Sequence, residues 1–305
     1  MLISAIFCLQ PALAETFTIE RGSDIVGKIR TVTTQKGDTL YTIGRTYDIG
    51  IWEMQEANPK INVNKAMPIG TNVVVPSEFI LPPGDRSGIV INLAELRVYY
   101  FDADGATVST HPLGIGRMGW RTPIGETTII LKREHPIWTP TESIRAESEE
   151  RGVELPDAIP AGPNNPLGDY AMNLGWNGYM MHGTNAPQSV GSRASHGCMR
   201  MYAEDIKDLF ERVTVGTKVR VIYEPYKLGT KDGQLYLEAH ALFTDEYYNP
   251  DNQDENELLQ KAVAASNYTS SSQINWAEAR ELIHDDYGYP VNITSTVNAR
   301  PEQSL

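Results

Sequence analysis

The residues best suited to chemistry lie in one stretch, Met181 to Arg200, which reads MHGTNAPQSVGSRASHGCMR and holds two His-Gly pairs, the second running straight into Cys198. A free thiol ionises near pH ~8.5, so at neutral pH a cysteine nucleophile needs a base beside it. An imidazole that takes the proton leaves a thiolate and an imidazolium, and the N-terminus of a following helix favours the anion. His182 and His196 compete for that role. His196 stands two residues before Cys198 and shares its face in an extended chain, yet neighbours along one strand or turn rarely align for proton transfer. His182 closes the strand-like run Tyr179-Met180-Met181, so a separate strand can bring it across the loop; the spacing favours it and leaves His196 open. The amides of Gly197 and Cys198 are the natural oxyanion donors, because glycine lets the backbone approach a reacting carbonyl.

The cysteine count sharpens the question. The chain has two, Cys8 and Cys198. LISAIFCLQPALA is apolar and uncharged and ends in Ala12-Leu13-Ala14, the small-x-small pattern of signal cleavage, so residues 1–14 are expected to be a signal peptide even though no Lys or Arg precedes the apolar run. Phe7 is bulky where a lipoprotein signal needs a small residue, which argues against lipidation of Cys8. Removal of the signal leaves Cys198 alone. A lone thiol in an oxidising compartment is open to oxidation and mixed disulfides, which favours a thiol that is used over the alternative of a small, inert core residue.

The formal net charge of -13 argues against nucleic acid and anionic lipid as partners, since both demand basic patches. Beyond the N-terminus no apolar run is long enough to span a membrane, so no transmembrane segment is expected in the mature protein. Zinc held by His182, His196 and Cys198 is disfavoured, because neither a second cysteine at zinc spacing nor an HExxH run is present; no metal and no cofactor are expected. His111, His135, His240 and His284 lie outside the stretch and are expected on the surface of strands, loops or helices, with His135 in REHPIWTP the best placed to border a cleft.

The elements that must position these residues form a multidomain chain. Over 31–76, TVTT reads as a strand; Asp38 and Thr39 can cap a helix with apolar face Leu40, Ile43 and Tyr47; a short helix over Ile51–Ala57 stops before Asn58-Pro59; and TNVVVP returns as a strand. This small α+β (βααβ) module has too few residues for a large core. Residues 77–87, with Pro82-Pro83-Gly84-Asp85, read as a linker. A mainly β domain is expected over 88–224, with GIVINLAELRVYYF and TVSTHPLGIG joined across Asp102-Ala103-Asp104-Gly105, and with TTIILKR and TKVRVIYE framing the cysteine loop. After Cys198, Ile206, Leu209, Phe210 and Val213 mark the apolar face of a helix over Ala203–Val213. From 225 to 305 a small α+β extension is expected: the strand QLYLEAHALF, an acidic loop over Thr244–Glu257, and helices around Glu257–Ala265 and Trp276–Ile283.

Two resemblances add to this reading. KGDTLYTIGRTY, the EANP turn and PIGTNVVVP resemble the LysM module, which implies binding to glycans that contain N-acetylglucosamine, such as peptidoglycan. HGTNAPQSVGSRASHGCMR resembles the signature of the L,D-transpeptidase catalytic domain (YkuD family), HG-x-x, a loop, then S-H-G-C-x-R, with GIGRMGWRTPIGETTI and AIPAGPNNPLGDYAMNL as further similar stretches. The resemblance implies Cys198 as nucleophile and His182 as base, the Gly183 carbonyl orienting the imidazole, Ser195, His196 and Gly197 shaping the pocket, and Arg200 holding the loop or meeting a substrate carboxylate; a pair between Arg200 and an acid of the next helix is the plain alternative. It further implies a thioester on a peptidoglycan tetrapeptide stem with loss of D-alanine, transfer to the amine of a diaminopimelate or of a lipoprotein C-terminal lysine, and sensitivity to carbapenems. The domain order and the WTPT and IRAESEERGVELPDAIPAG stretches, expected to border the cleft, are most similar to the periplasmic ErfK/YbiS/YcfS/YnhG group. A cell-wall cysteine peptidase and a peptidoglycan-binding scaffold with an inert thiol are the other readings.

Overall fold

The computed structural model of the protein describes residues 15–245, 248, 254–266 and 274–295. The expected signal peptide with Cys8, and part of the acidic loop, lie outside the described residues. The βααβ module forms as the sequence directs. Thr39 caps the helix Leu40–Thr46, its hydroxyl accepting from the Thr42 amide while the Thr42 side chain returns to the Thr39 amide. Such a cap is worth about 1 kcal/mol. The helix Ile51–Glu56 follows, and the strands Arg30–Thr33 and Asn72–Val75 pair antiparallel to close the unit. The expected linker is partly structured: Glu78–Ile80 is a strand paired with Ile25–Gly27.

The central part of the chain is built on a nine-stranded sheet. Its strands run in the order Thr16–Thr18, Thr107–Pro112, Arg97–Phe101, Gly88–Asn92, Lys218–Ile222, Gly125–Glu134, Tyr170–Leu174, Met180–His182 and Met199–Arg200. The run GIVINLAELRVYYF is two strands rather than one, because the chain turns at Leu93–Leu96, where Leu96 adopts a left-handed φ of 58° and its amide bonds Leu93 O at 3.3 Å. Against one face packs the helix Ala203–Arg212, which buries Ile206 and Leu209 among Met172, Met181, Met199 and Met201. Here the periodicity of the sequence and the core agree.

The C-terminal extension pairs Tyr226–Lys231 with Gln234–Ala239 and adds Val291–Asn292 at the edge, with the helices Glu255–Ala265 and Trp276–Asp285 packed on it. Buried charge joins the three units. Lys227 of the extension sits 2.9 Å from both Glu95 and Glu238, and His240 bonds Glu56 of the small module and Glu238, each at 2.9 Å. Two carboxylates around one imidazole hold His240 well above the usual range although burial opposes the charge. His240 and His111, expected at the surface, are thus buried residues of the seams between units. Neither has a local sequence signal, since the partners come from distant parts of the chain.

Candidate active site

Met180–His182 and Met199–Arg200 run parallel, with Met181 opposite Met199 and His182 opposite Arg200. Side chains alternate across a pleat. Met181 and Met199 therefore point into the core, where both are fully buried. His182, Arg200 and Cys198, two residues before Arg200, share the other face and line a cleft of about 840 Å³. Diagonal neighbours on one face of paired strands are within reach of long side chains. The register thus brings a thiol and an imidazole from separate strands to one cleft.

Only 4% of His182 is exposed. Its Nδ1 lies 2.6 Å from the carbonyl oxygen of Gly183. A carbonyl can only accept, so Nδ1 carries the proton and Nε2 keeps its lone pair. Burial pushes the imidazole down to about 4, against the pull of that carbonyl and with help from the charges of Arg200 and Arg133. Burial also pushes the Cys198 thiol up, opposed by a backbone hydrogen bond from Met180 and by Arg200. A lowered acceptor and a raised donor both work against the expected thiolate and imidazolium pair at rest. The helix expected to favour the anion begins only after Met199–Arg200, and Glu204 and Asp205 occupy its first turn. An acidic side chain of its own first turn, Glu204, meets the helix dipole.

The turn before the nucleophile is tightly held. Gly197 has a φ of 104°, and a Cβ there would fall 2.8 Å from the Arg121 carbonyl oxygen and 3.1 Å from the Tyr179 ring. Thr122 Oγ1 donates to the Gly197 carbonyl at 2.9 Å and accepts from the Gly116 amide at 3.1 Å. Ser195 Oγ accepts from the Gly197 amide at 3.1 Å and donates to the Cys198 carbonyl at 2.5 Å. The Gly197 amide, expected as an oxyanion donor, is therefore already engaged by Ser195. The Cys198 amide, by contrast, has no acceptor among the described residues.

His196 belongs to a different environment. Its Nε2 donates to Glu147 at 2.7 Å, its ring meets Trp120 edge-on at 4.6 Å, and Arg117 Nη1 stands 3.2 Å away. Arg117 also bonds Glu147, and that bond holds the carboxyl down to about 2, with His196, the Arg117 charge and Arg151 adding to the shift and burial opposing it. Glu147 lies on the helix Glu142–Glu150 within the expected insertion, whose Trp138, Ile144 and Leu155 line the cleft. Sequence reading placed that segment at the cleft but singled out neither Glu147 nor Arg117, because their pairing spans a long loop. Arg200 donates to Ser189 Oγ at 3.3 Å and has no carboxylate partner among the described residues; the alternative pair with the next helix is not formed. His135 is exposed beside Asp169 and Glu134 and does not line the cleft.

Among the described residues, groups of His, Cys, Asp and Glu close enough to share a cation occur at two buried places, Asp48–His111–Asp205 and Glu95–Glu238–His240, both away from the cleft. With this geometry in view, comparison with known proteins gives a consistent result. The L,D-transpeptidase catalytic domain (YkuD) matches residues 86–221, and the LysM domain matches residues 32–76. The probable L,D-transpeptidases ErfK/SrfK and YbiS of Escherichia coli K12 are 43% and 44% identical to this chain over 240 residues, which is 77% of each chain. The probable L,D-transpeptidase YcfS of the same organism is 35% identical over 301 residues, 95% of this chain and 92% of that one. This chain belongs to the L,D-transpeptidase family, as a transpeptidase that carries a LysM domain ahead of its catalytic domain.

Proposed function

We propose that Cys198 is the acyl carrier of a peptidoglycan transpeptidation that proceeds from a neutral thiol. As Cys198 Sγ bonds to the carbonyl carbon of the third stem residue, a diaminopimelate, His182 Nε2 takes the thiol proton and the carbonyl oxygen becomes an oxyanion facing the Cys198 amide. Collapse breaks the amide bond to the terminal D-alanine. His182 returns its proton to the departing amine, and a thioester remains. An incoming amine then attacks the thioester; His182 accepts its proton and passes it to the departing sulfur. Arg200, charged and without a carboxylate partner among the described residues, is suited to a carboxylate of the stem peptide. The LysM domain supports peptidoglycan as the surface that the enzyme works on, and a periplasmic location fits that substrate.

The observation that carries this reading is the 2.6 Å contact between His182 Nδ1 and the Gly183 carbonyl, which fixes the tautomer that a general base needs. Two acceptors fit the chemistry: a diaminopimelate amine, giving a 3-3 crosslink, or the C-terminal lysine of an outer-membrane lipoprotein. The test incubates the full chain with a disaccharide tetrapeptide and a lysine-terminated peptide and follows the products by mass spectrometry. Expected is released D-alanine together with tripeptide joined to an amine, whose mass identifies the acceptor. Free tripeptide alone, with both acceptors in excess, points to a hydrolase and contradicts the proposal.

A further inference from the structure

Three histidines are buried among the described residues, and two are accounted for. His182 is held by Gly183, and His240 lies between Glu56 and Glu238. His111 has no such account. It sits on the strand Thr107–Pro112 with no exposed surface, and both ring nitrogens lack a hydrogen-bond partner. Beside it are Asp205, from the first turn of the helix Ala203–Arg212, its Oδ1 3.6 Å from His111 Nδ1, and Asp48, from the turn after the helix Leu40–Thr46 of the small module; the two buried carboxyls face each other closely enough to share a proton, and none of their oxygens has a partner outside the cluster. One donor atom from each of the three residues lies within 4.8 Å of the others. Buried polar atoms are nearly always satisfied, so three buried side chains that each turn an unpartnered donor atom toward the others call for an occupant.

The surroundings do not supply one. Arg97 is committed to Glu53 through bonds of 2.6 and 2.9 Å and to Thr110 Oγ1 at 3.0 Å, and it bonds Asp48 at the backbone carbonyl, at 3.1 Å, rather than at the carboxyl. Arg45 pairs with Glu204 and lies over the Tyr202 ring; Arg212 pairs with Asp208 and Asp102. The other buried cluster shows what is missing. There the carboxylates of Glu95 and Glu238 flank the Lys227 ammonium, 2.9 Å from each, and no side-chain atom of the group is left without a partner. A lysine supplies the cation in one seam, and no side chain supplies it in the other.

We propose that Asp48, His111 and Asp205 bind one divalent transition-metal cation, and that this ion fastens the small LysM module to the catalytic domain. Two carboxylates and a neutral imidazole balance a charge of +2, and the mixed oxygen and nitrogen set suits Zn²⁺, with water as a fourth ligand. Bonds of roughly 2.0–2.2 Å need only a modest contraction of the present spacing. Burial pushes the Asp205 carboxyl up to about 8 and holds His111 down to about 4, so the empty site favours protonated acid beside neutral imidazole, and an arriving ion displaces the protons.

The test uses the full chain carrying Cys198→Ala, so that the cleft thiol cannot be the ligand. After treatment with chelator, Zn²⁺ is titrated by calorimetry, and thermal melts are recorded with and without the ion. The expected result is one equivalent bound, a melting temperature several degrees higher with Zn²⁺, and binding at least tenfold weaker when Asp205→Asn or His111→Phe is added. Should those variants fold poorly, Co²⁺ in the Cys198→Ala chain gives an independent readout, a visible d–d spectrum of a low-coordinate nitrogen and oxygen site. Absence of binding up to millimolar Zn²⁺, binding unchanged in both variants, or a melt that Asp205→Asn raises without metal while Zn²⁺ does nothing would each overturn the proposal; the last would assign the cluster a shared proton instead.

Discussion

The two sides of the cleft handle an imidazole in opposite ways. On the sheet side, His182 is buried, bonded to a carbonyl through Nδ1 and disfavoured as a cation by burial, with no hydrogen bond to Nε2 among the described residues. On the loop side, His196 is about a quarter exposed, its Nε2 is engaged by Glu147, and Arg117 stands alongside. Two histidines that line one cleft with the thiol thus differ in which nitrogen is in use. A carbonyl partner leaves a base; a carboxylate partner ties up the nitrogen and fixes the ring as a wall, while burial still holds that imidazole below its ordinary value. Register sets the first arrangement and a helical insertion sets the second.

The largest change that bears on this difference is Cys198→Ala, expected to abolish acyl transfer while the melting temperature stays within a few degrees; steady-state assays and calorimetry check it. His182→Gln is expected to slow acylation by about 10²–10⁴, the usual worth of a general base, with substrate binding little altered. Gly197→Ala forces a left-handed residue against the Arg121 carbonyl and is expected to lower kcat about a hundredfold as the nucleophile turn shifts. Glu147→Gln weakens the His196 wall and costs about tenfold in kcat/KM, on the scale of one charge-assisted hydrogen bond, with the kcat and KM split showing whether positioning or binding is lost. The smallest effect concerns pH. A base must be unprotonated, so acylation is expected to be level through neutrality and to fall to half near pH 4, where His182 takes up a proton. The same depressed value gives stability that is present above the unfolded value of ~6.5 and lost as pH falls toward 4, because the unfolded chain binds the proton first. Melts run beside the rate profile separate the two.

Much of this was legible in the sequence, for reasons that are local. The cap at Thr39, the apolar face of Ala203–Arg212 and the alternation through Met181 and Met199 are written in neighbouring residues, and the HG and SHGC pairs lie on the elements they need. The break at Leu96 was not legible, because GIVINLAELRVYYF carries no Gly or Pro where it turns. Nor was the pairing of Glu147 with His196, 49 residues apart, or of His240 with Glu56, 184 apart. What bears on the ionisation of the thiol is also not local. An imidazole nearby creates an ion pair only where the charges are solvated or matched, and burial around His182 and Cys198 disfavours both charged forms.

The most direct measurement is the intact mass of the full chain after brief exposure to a disaccharide tetrapeptide without acceptor, followed by peptide mapping. The account predicts an adduct equal to substrate less D-alanine, attached through a hydroxylamine-labile thioester at Cys198, and forming far more slowly in His182→Gln. An adduct on another residue, or release of D-alanine undiminished in Cys198→Ala, would contradict it.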